Sequence, residues 1–219
     1  MNPESLQTRL PVSLADQAYR ALEEMLVTLV LSPGVLVQEK DLAAAAGIGR
    51  TPVREAVQKL AGHGLLRVLP RKGLQVSPLL RSELGQIIEA RRVMERLLVV
   101  KAAERADSNQ RQALEILAEH IEQSSGDLAT FLRLDRRLDE LLESACANSY
   151  LVQALAPLHT HCRRLWYLHH EQFDLPHSAR LHAGLARSVA RGDGSGAIRS
   201  LNGIIAVLEE RIGGLDVIS

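Results

Sequence analysis

Apolar residues recur at helical spacing along most of this chain, and glycine, proline and short polar stretches separate the segments. In the first 76 residues the pattern predicts three helices, at 13–30, 39–46 and 51–62, followed by strands at 65–69 and 74–76. Residues 35–37 are a candidate third strand. Beyond residue 77 the apolar pattern predicts six helices, at 82–106, 109–123, 128–146, 149–171, 178–190 and 195–212. Helices joined by short loops indicate an antiparallel bundle.

The second and third predicted helices have the spacing of a helix-turn-helix. Gly47 is expected to end the second helix, because glycine accepts the left-handed backbone found there. Thr51 is a candidate cap for the third helix, and Pro52 suits its first turn. An apolar stripe on the third helix faces the second: Val53, Val57 and Leu60. Such an arrangement lets the start of the third helix enter a DNA major groove.

The hairpin after the third helix carries two cations at its tip. Arg71 and Lys72 stand between Pro70 and Gly73, and such a tip suits a phosphate or a minor groove. The fold class is therefore mostly α: an N-terminal winged helix-turn-helix domain at 1–76, a linker at 77–81 and an antiparallel all-α bundle at 82–219. Residues 1–12 are expected to be a leader.

Charge is balanced overall but uneven along the chain. Lys plus Arg and Asp plus Glu both number 26, yet residues 35–80 hold seven basic residues against three acidic ones. This concentration predicts a DNA partner for the winged domain. Cys146 and Cys162 lack zinc-type spacing. Without a secretory segment or a long apolar run, we expect a cytoplasmic protein with no membrane partner.

Four segments resemble the N-terminal domain of the GntR family of bacterial transcription regulators. They are SLADQAYRALEEM, SPGVLVQEKDLA, GRTPVREAVQKLAGHGLL and PRKGLQV, and TPVREA is the most specific part. Gly49 departs from the pattern, because many members carry Ser or Thr there. The resemblance implies that DNA is contacted by Lys40, Arg50, Thr51, Arg54, Arg71, Lys72 and Gly73.

The bundle is similar to the FCD domain of the FadR-like subgroup. The similarity rests on EARRVMERLLVVKAAERA, FLRLDRRLDELLESACANSYL and RLHAGLARSVARGDGSGAIRSL. It implies a small-molecule effector, usually an organic acid, and in many members a divalent metal. The metal ligands would be Asp135, Asp139, where the pattern has His, and His182. The last ligand position falls at Ile204, and no His follows His182.

Two interpretations of this incomplete metal site stay open. Two carboxylates and one imidazole, completed by water, favour Mn or Mg relative to Zn or Ni. Alternatively the metal has been lost, Asp135 pairs with a bundle arginine, and His182 hydrogen-bonds an effector or a carboxylate. No cofactor is therefore certain.

Further polar residues of the bundle are weaker candidates. Arg91 could anchor an effector carboxylate through its two parallel donors, or form an internal ion pair with Glu95 or Asp135. The candidate effector site is thus Arg91, Asp135, Asp139 and His182, with Arg163 and Arg164 as lesser candidates. A group of histidines on one predicted helix is interpreted as a surface or pocket cluster without a ligand role: His159, His161, His169 and His170.

The function that follows is a ligand-responsive DNA-binding transcription regulator, and not an enzyme. We expect a homodimeric repressor on a pseudo-palindromic operator, released by a small organic acid. One alternative is a constitutive DNA-binding dimer whose bundle has lost sensing. Another is a metal-dependent hydrolase or lyase that uses Asp135, Asp139 and His182, with Glu143 as base. That interpretation leaves the TPVREA segment unexplained.

Overall fold

The computed structural model describes residues 13–124 and 126–214, so the predicted leader at 1–12 lies outside the described residues. Within these residues the chain forms two compact units, one ending at Ser77 and the other beginning at Pro78. No described helix combines the length and the apolar character needed to cross a bilayer.

The first unit is a winged helix-turn-helix, as the sequence predicts. It contains α1 (Leu14–Val27), β1 (Leu36–Val37), α2 (Glu39–Ala46), α3 (Arg50–Gly62), β2 (Leu66–Leu69) and β3 (Gly73–Val76). The strands form an antiparallel sheet in the order β1-β3-β2, with Leu36 opposite Gln75 and Val68 opposite Leu74. The predicted third strand, β1, therefore pairs with the wing.

Local signals define most helix ends in this unit. Ser13 caps α1 by accepting the Asp16 N–H at 3.0 Å, and Gly47 ends α2 with a φ of 64°. Two expectations were wrong. Helix α1 ends at Val27 rather than near residue 30, and α3 begins at Arg50. Gly49 holds the cap position of α3 with no side-chain bond, so Thr51 lies inside the helix and does not cap it.

The second unit is all helical, which confirms the predicted bundle. It contains α4 (Arg81–Arg105), α5 (Ser108–Gln123), α6 (Leu128–Cys146), α7 (Ser149–His169), a 3₁₀ turn (His170–Gln172), α8 (Leu175–Ala190) and α9 (Gly194–Gly213). Helix α4 packs against α6, α7, α8 and α9, so side chains from several helices meet around it.

Four bundle helices, α4, α5, α8 and α9, begin one to three residues before the predicted start. Helix α4 begins at Arg81, one residue before the predicted start, and Leu80 ahead of it makes no side-chain cap. Asp107 caps α5 in a capping box with Gln110. Helix α8 begins at Leu175, three residues early, because Asp174 accepts the His177 N–H at 2.9 Å.

Each unit has its own apolar core. In the first unit, α1 buries Leu22 and Leu26 against the stripe of α3. In the bundle, Leu, Ile, Val and Ala surround three aromatic rings: Phe131, Trp166 and Phe173. Trp166 stacks on Phe173 with ring centroids 3.7 Å apart. As Trp166 is the only tryptophan of the chain, its fluorescence reports on the bundle alone.

A candidate DNA interface and a buried polar cluster

The third helix presents one apolar face inward and one polar face to solvent. Val53, Ala56, Val57 and Leu60 are buried against the rest of the first unit. This anchoring leaves three of the predicted DNA contacts exposed in its first two turns: Arg50, Thr51 and Arg54. Lys40, in the first turn of α2, is exposed as well. The helix pair therefore presents a fixed cationic edge, with the geometry needed for groove binding.

Arg54 is held by a neighbour that sequence reasoning missed. Its Nε donates to Oε2 of Glu39, the first residue of α2, at 3.1 Å, and the arginine side chain remains 68% exposed. An exposed pair of this kind stabilises a fold by only about 0–1 kcal/mol. Its consequence is orientation, because it directs the guanidinium across the turn between the two helices. Lys59 instead faces α1, 4.6 Å from the ring centre of Tyr19.

The wing tip is tied to the helix-turn-helix by Gln38. Its side-chain amide donates to the Lys72 carbonyl at 3.1 Å. Gly73 lies beside it with a φ of 98°, and a Cβ there would stand 2.5 Å from Gln38 Nε2. Only glycine satisfies both the backbone angle and the space. Of the predicted wing contacts, Gly73 thus shapes the tip, while Arg71 and Lys72 are exposed upon it.

Arg71 has an unusual backbone conformation. Its φ is 63°, a region that residues with a side chain seldom adopt. The Lys72 N–H donates to the Leu69 carbonyl at 3.1 Å across Pro70 and Arg71, which are the features of a type II turn. That turn ordinarily carries glycine where Arg71 stands, so the arginine occupies the tip at a backbone cost of about 1 kcal/mol.

Inside the bundle, four helices supply a cluster of charged side chains. Its first part joins α4 to α7: Arg91 Nε donates to Glu95 Oε1 at 2.8 Å, and His159 Nε2 contacts the same carboxylate oxygen. All three side chains are buried. The internal Arg91–Glu95 pair that the sequence left open is therefore formed. His159 thus lies inside the cluster and contacts Glu95, whereas sequence reasoning interpreted it only as one of a surface or pocket group of histidines.

The second part of the cluster contains the remaining predicted effector residues. Asp139 lies on α6. Its Oδ2 accepts hydrogen bonds from His159 Nδ1, at 3.0 Å, and from a terminal guanidinium nitrogen of Arg163. Arg163 Nε also donates to Asp135 Oδ2 at 3.2 Å. On the far side, His182 Nε2 lies 3.4 Å from Asp135 Oδ1. The structure thus brings Arg91, Asp135, Asp139 and His182 into one network, with Glu95, His159 and Arg163 between them.

The network balances its own charge. Carboxylate oxygens only accept hydrogen bonds, so both ring nitrogens of His159 carry hydrogen and the ring is cationic. Burial opposes this, but Asp139 and Glu95 raise the pKa of His159 to about 10. Burial would also raise the pKa of Asp139, which His159 and Arg163 instead hold well below its usual range. Three cations, Arg91, His159 and Arg163, thereby face three carboxylates, Glu95, Asp135 and Asp139.

Two neighbours of the cluster have shifted pKa values. Burial, and then the charge of Asp139, raises the pKa of Glu143 to about 7. Arg164, a lesser effector candidate, is completely buried, and burial lowers its pKa to about 10.

The cavity beside the cluster is small. It has a volume of about 20 Å³, enough for one water molecule, and is lined by Arg91, Asp135, Asp139, His182 and Ile204 among others. A larger, open cavity of about 860 Å³ lies at the start of α4 and the end of α9. Its ion pair, between Arg92 and Glu209, is exposed, so it offers no buried polar anchor. The polar cluster is the better candidate for recognition of a ligand.

The predicted metal ligands fit a metal poorly. Among the residues described, no three His, Cys, Asp or Glu side chains are arranged to hold an ion. Both carboxylates already bind Arg163, and Ile204 lines the cavity with an apolar side chain. Only His182 keeps ligand-like geometry: its Nδ1 donates to the Ser178 carbonyl at 2.7 Å, which leaves Nε2 facing Asp135.

Comparisons with known proteins agree with this architecture. The chain is similar to the HTH-type transcriptional regulator YdhC of Bacillus subtilis (strain 168), with 30% identity over 142 residues that span 64% of this chain and 63% of that relative. It is 24% identical over 199 residues to the HTH-type transcriptional repressor RspR of Escherichia coli K12, covering 90% and 87% of the two chains. The fold matches the solved structure of E. coli McbR/YncC with a TM-score of 0.79, 24% identity and coverage of 92% and 99%.

Family models account for both units. Residues 14–76 match the model of bacterial regulatory proteins of the gntR family, and residues 86–206 match the FCD domain. The exposed cationic edge of the first unit and the buried polar cluster of the second thus lie in the DNA-binding and FCD parts, respectively. The chain belongs to the gntR family of DNA-binding transcription regulators, in the group that carries an FCD domain.

Proposed function

We propose that this regulator is a cytoplasmic repressor in which two identical chains bind a pseudo-palindromic operator, and that a small organic acid bound in the FCD domain releases it. The relative RspR is named a repressor, which supports this sign of the response. Two-fold pairing brings two third helices to two half-sites, as palindromic operators require.

The observation that carries the DNA-binding proposal is the exposure of Arg50 and Arg54 on a helix whose opposite face is buried. Neither arginine is part of the core of the first unit, and Glu39 orients the second of them. The wing adds Arg71 and Lys72 at a tip whose backbone is fixed by Gly73 and Gln38. Such positioned cations contact phosphates or base edges, and DNA affinity then depends on salt.

Binding to duplexes from the promoter next to the gene tests this proposal. Fluorescence anisotropy should show that Arg54→Ala weakens the specific complex by about 1–3 kcal/mol if the side chain reads a base. Arg137→Ala is the matched control, because Arg137 is also an exposed arginine, paired with Glu140 at 2.9 Å, but lies in the bundle. Equal affinities for the two variants would remove Arg54 from the interface.

Release by an acid needs a change in the polar cluster. The cavity of about 20 Å³ cannot hold an organic acid, so an effector carboxylate must displace a protein carboxylate from Arg91 or Arg163. Glu95 or Asp139 would then move, and Glu95 lies on α4, which begins four residues after the first unit ends. We propose that an acid which binds one arrangement of α4 more tightly than another changes the affinity for DNA. Because such coupling is reciprocal, bound DNA changes the affinity for the acid by the same free energy.

The small cavity also favours the second candidate, a constitutive DNA-binding dimer. Thermal-shift measurements on the full chain with a panel of mono- and dicarboxylic acids separate the two. A sensor gives a melting temperature that rises with the concentration of one acid, and that acid also lowers operator affinity. A panel without any shift, in a protein that binds its operator, establishes the constitutive dimer.

A further inference from the structure

The guanidinium of Arg163 lies between the two carboxylates that the family resemblance assigns to a metal. Nε donates to Asp135 at 3.2 Å, and a terminal nitrogen donates to Asp139. The arginine side chain is only 11% exposed, so this contact is largely shielded from water. A cation of the chain itself therefore bridges α6 and α7 at the place where a metal would bring the carboxylates together.

The other ligand positions are consistent with this arrangement. His159 takes up the same Asp139 oxygen as Arg163, which leaves that oxygen little capacity for a metal. Ile204 is 6% exposed and lines the adjoining cavity, where it supplies no lone pair. The imidazole of His182 and one oxygen of Asp135 remain, separated by 3.4 Å, together with the second oxygen of Asp139. Among the described residues these side chains are not arranged as a group of three that could hold an ion, and tight sites need three or four protein ligands.

We infer that Arg163 stands in for the divalent metal that the family resemblance implies for the bundle, so that the bundle holds its two aspartates together without any metal. A guanidinium suits this role because it is permanently charged and donates to two carboxylates from one plane. It also cannot dissociate, so the stability of the bundle does not depend on metal supply. This inference concerns the bundle alone and stands whether or not the DNA-binding proposal holds.

The first test uses the wild-type chain. Metal analysis after purification should find no stoichiometric Zn, Ni or Mn, and dialysis against EDTA should leave the melting temperature unchanged. Addition of each metal salt should shift the melting temperature by less than about 1 °C, since no metal site is present to stabilise the folded state. A metal that survives purification in one equivalent per chain, or a loss of stability in EDTA, overturns the inference.

The second test restores a metal site by substitution. Arg163→Ala combined with Ile204→His releases both carboxylates from the guanidinium, leaves Asp139 with His159 alone, and supplies the missing imidazole. With Zn or Ni at a hundredfold excess over its Kd, the melting temperature should rise by roughly 5–10 °C. Ile204→His alone is the matched control and should respond little, because Arg163 still occupies the aspartates. A folded double variant with no response to metal contradicts the role given to Arg163.

Removal of Arg163 takes the guanidinium partner away from two part-buried carboxylates and leaves only His159 beside Asp139, so the double variant is least stable in the absence of metal. If it is unfolded there, far-UV circular dichroism replaces the thermal shift, and helix content that returns with Zn or Ni supports the inference. Arg163→Gln with Ile204→His keeps more of the side-chain volume and serves as a second variant. If both double variants stay unfolded in Zn and in Ni, the restored ligand set holds no metal and the inference fails.

Discussion

Single residues determine the shape of the wing, and Gly73 is the clearest example. Its φ of 98° disfavours any residue with a side chain. In addition, an alanine Cβ at this position would lie only 2.5 Å from Gln38 Nε2. We expect Gly73→Ala to destabilise the hairpin by about 1–3 kcal/mol. Hydrogen–deuterium exchange of the full chain measures this as faster exchange of β2 and β3 amides.

Gly62→Ala is the control for Gly73→Ala. Gly62 is the last residue of α3, and a Cβ there meets nothing within 4 Å. Alanine favours helix over glycine by roughly 1 kcal/mol, so this variant should exchange no faster than wild type. Unchanged exchange in Gly73→Ala would show that the Gln38 contact yields without cost.

Glu143 gives the bundle a dependence on pH. Burial and the nearby Asp139 raise its pKa to about 7 from 4.5, so the folded state binds a proton that the unfolded state releases. The free energy of unfolding should therefore fall as pH rises from 4.5 through 7. We expect Glu143→Gln to flatten that decline and to be more stable than wild type at pH 8 by about 1 kcal/mol, a value reduced for the partial exposure of the side chain.

Urea unfolding at pH 5 and pH 8, followed by Trp166 fluorescence, measures this difference. Glu140→Gln is the comparison variant, because Glu140 is exposed and pairs with Arg137. It lacks the burial that shifts the pKa of Glu143, so it should not gain stability at pH 8. Identical pH dependences for wild type and Glu143→Gln would exclude Glu143 as the responsible group.

At the scale of elements, periodicity predicted nearly all helices, while their first residues were less predictable. The stripe of Val53, Val57 and Leu60 identifies α3 because burial of one face repeats with the helix period. A cap depends on one side chain reaching one amide, and several neighbouring residues have suitable chemistry. Thr51 and Ser82 have that chemistry, yet the chain places Gly49 and Leu80 at those starts.

Contacts between helices were the least predictable part of the site. The two carboxylates that contact His159 lie on other helices, Glu95 on α4 and Asp139 on α6. The spacing of residues along α7 therefore could not predict these contacts. Arg91 and Glu95, by contrast, are four residues apart on one helix, so their pairing was visible in the sequence. The position of Arg163 depends instead on how α6 and α7 pack, which no spacing along the chain reveals.

The start of α5 provides a test at this scale. The sequence predicted a helix from residue 109, and the structure assigns the capping box at its start to Asp107 and Gln110. Asp107→Ala should destabilise the bundle by about 1 kcal/mol, since the Gln110 N–H loses its acceptor. Ser108→Ala, one residue on, should change stability little. Urea unfolding followed by Trp166 fluorescence compares the two, and equal losses would contradict this assignment.

For the whole molecule, the decisive property is the proposed pairing of two chains on one operator. One chain presents a single α3, so a chain bound alone could read only one half-site. Two chains related by two-fold symmetry read both, and their contacts add on a single duplex. Native mass spectrometry should therefore find two chains per operator duplex.

Anisotropy titrations should show that scrambling one half-site lowers affinity towards the non-specific level, and that the affinities for both duplexes fall as salt rises and phosphate contacts weaken. A duplex in which only the bases outside both half-sites are scrambled keeps the base composition and serves as the control sequence. If the scrambled duplex binds as tightly as the intact operator, each chain acts independently, and regulation through a dimer fails even though the cationic edge still contacts DNA.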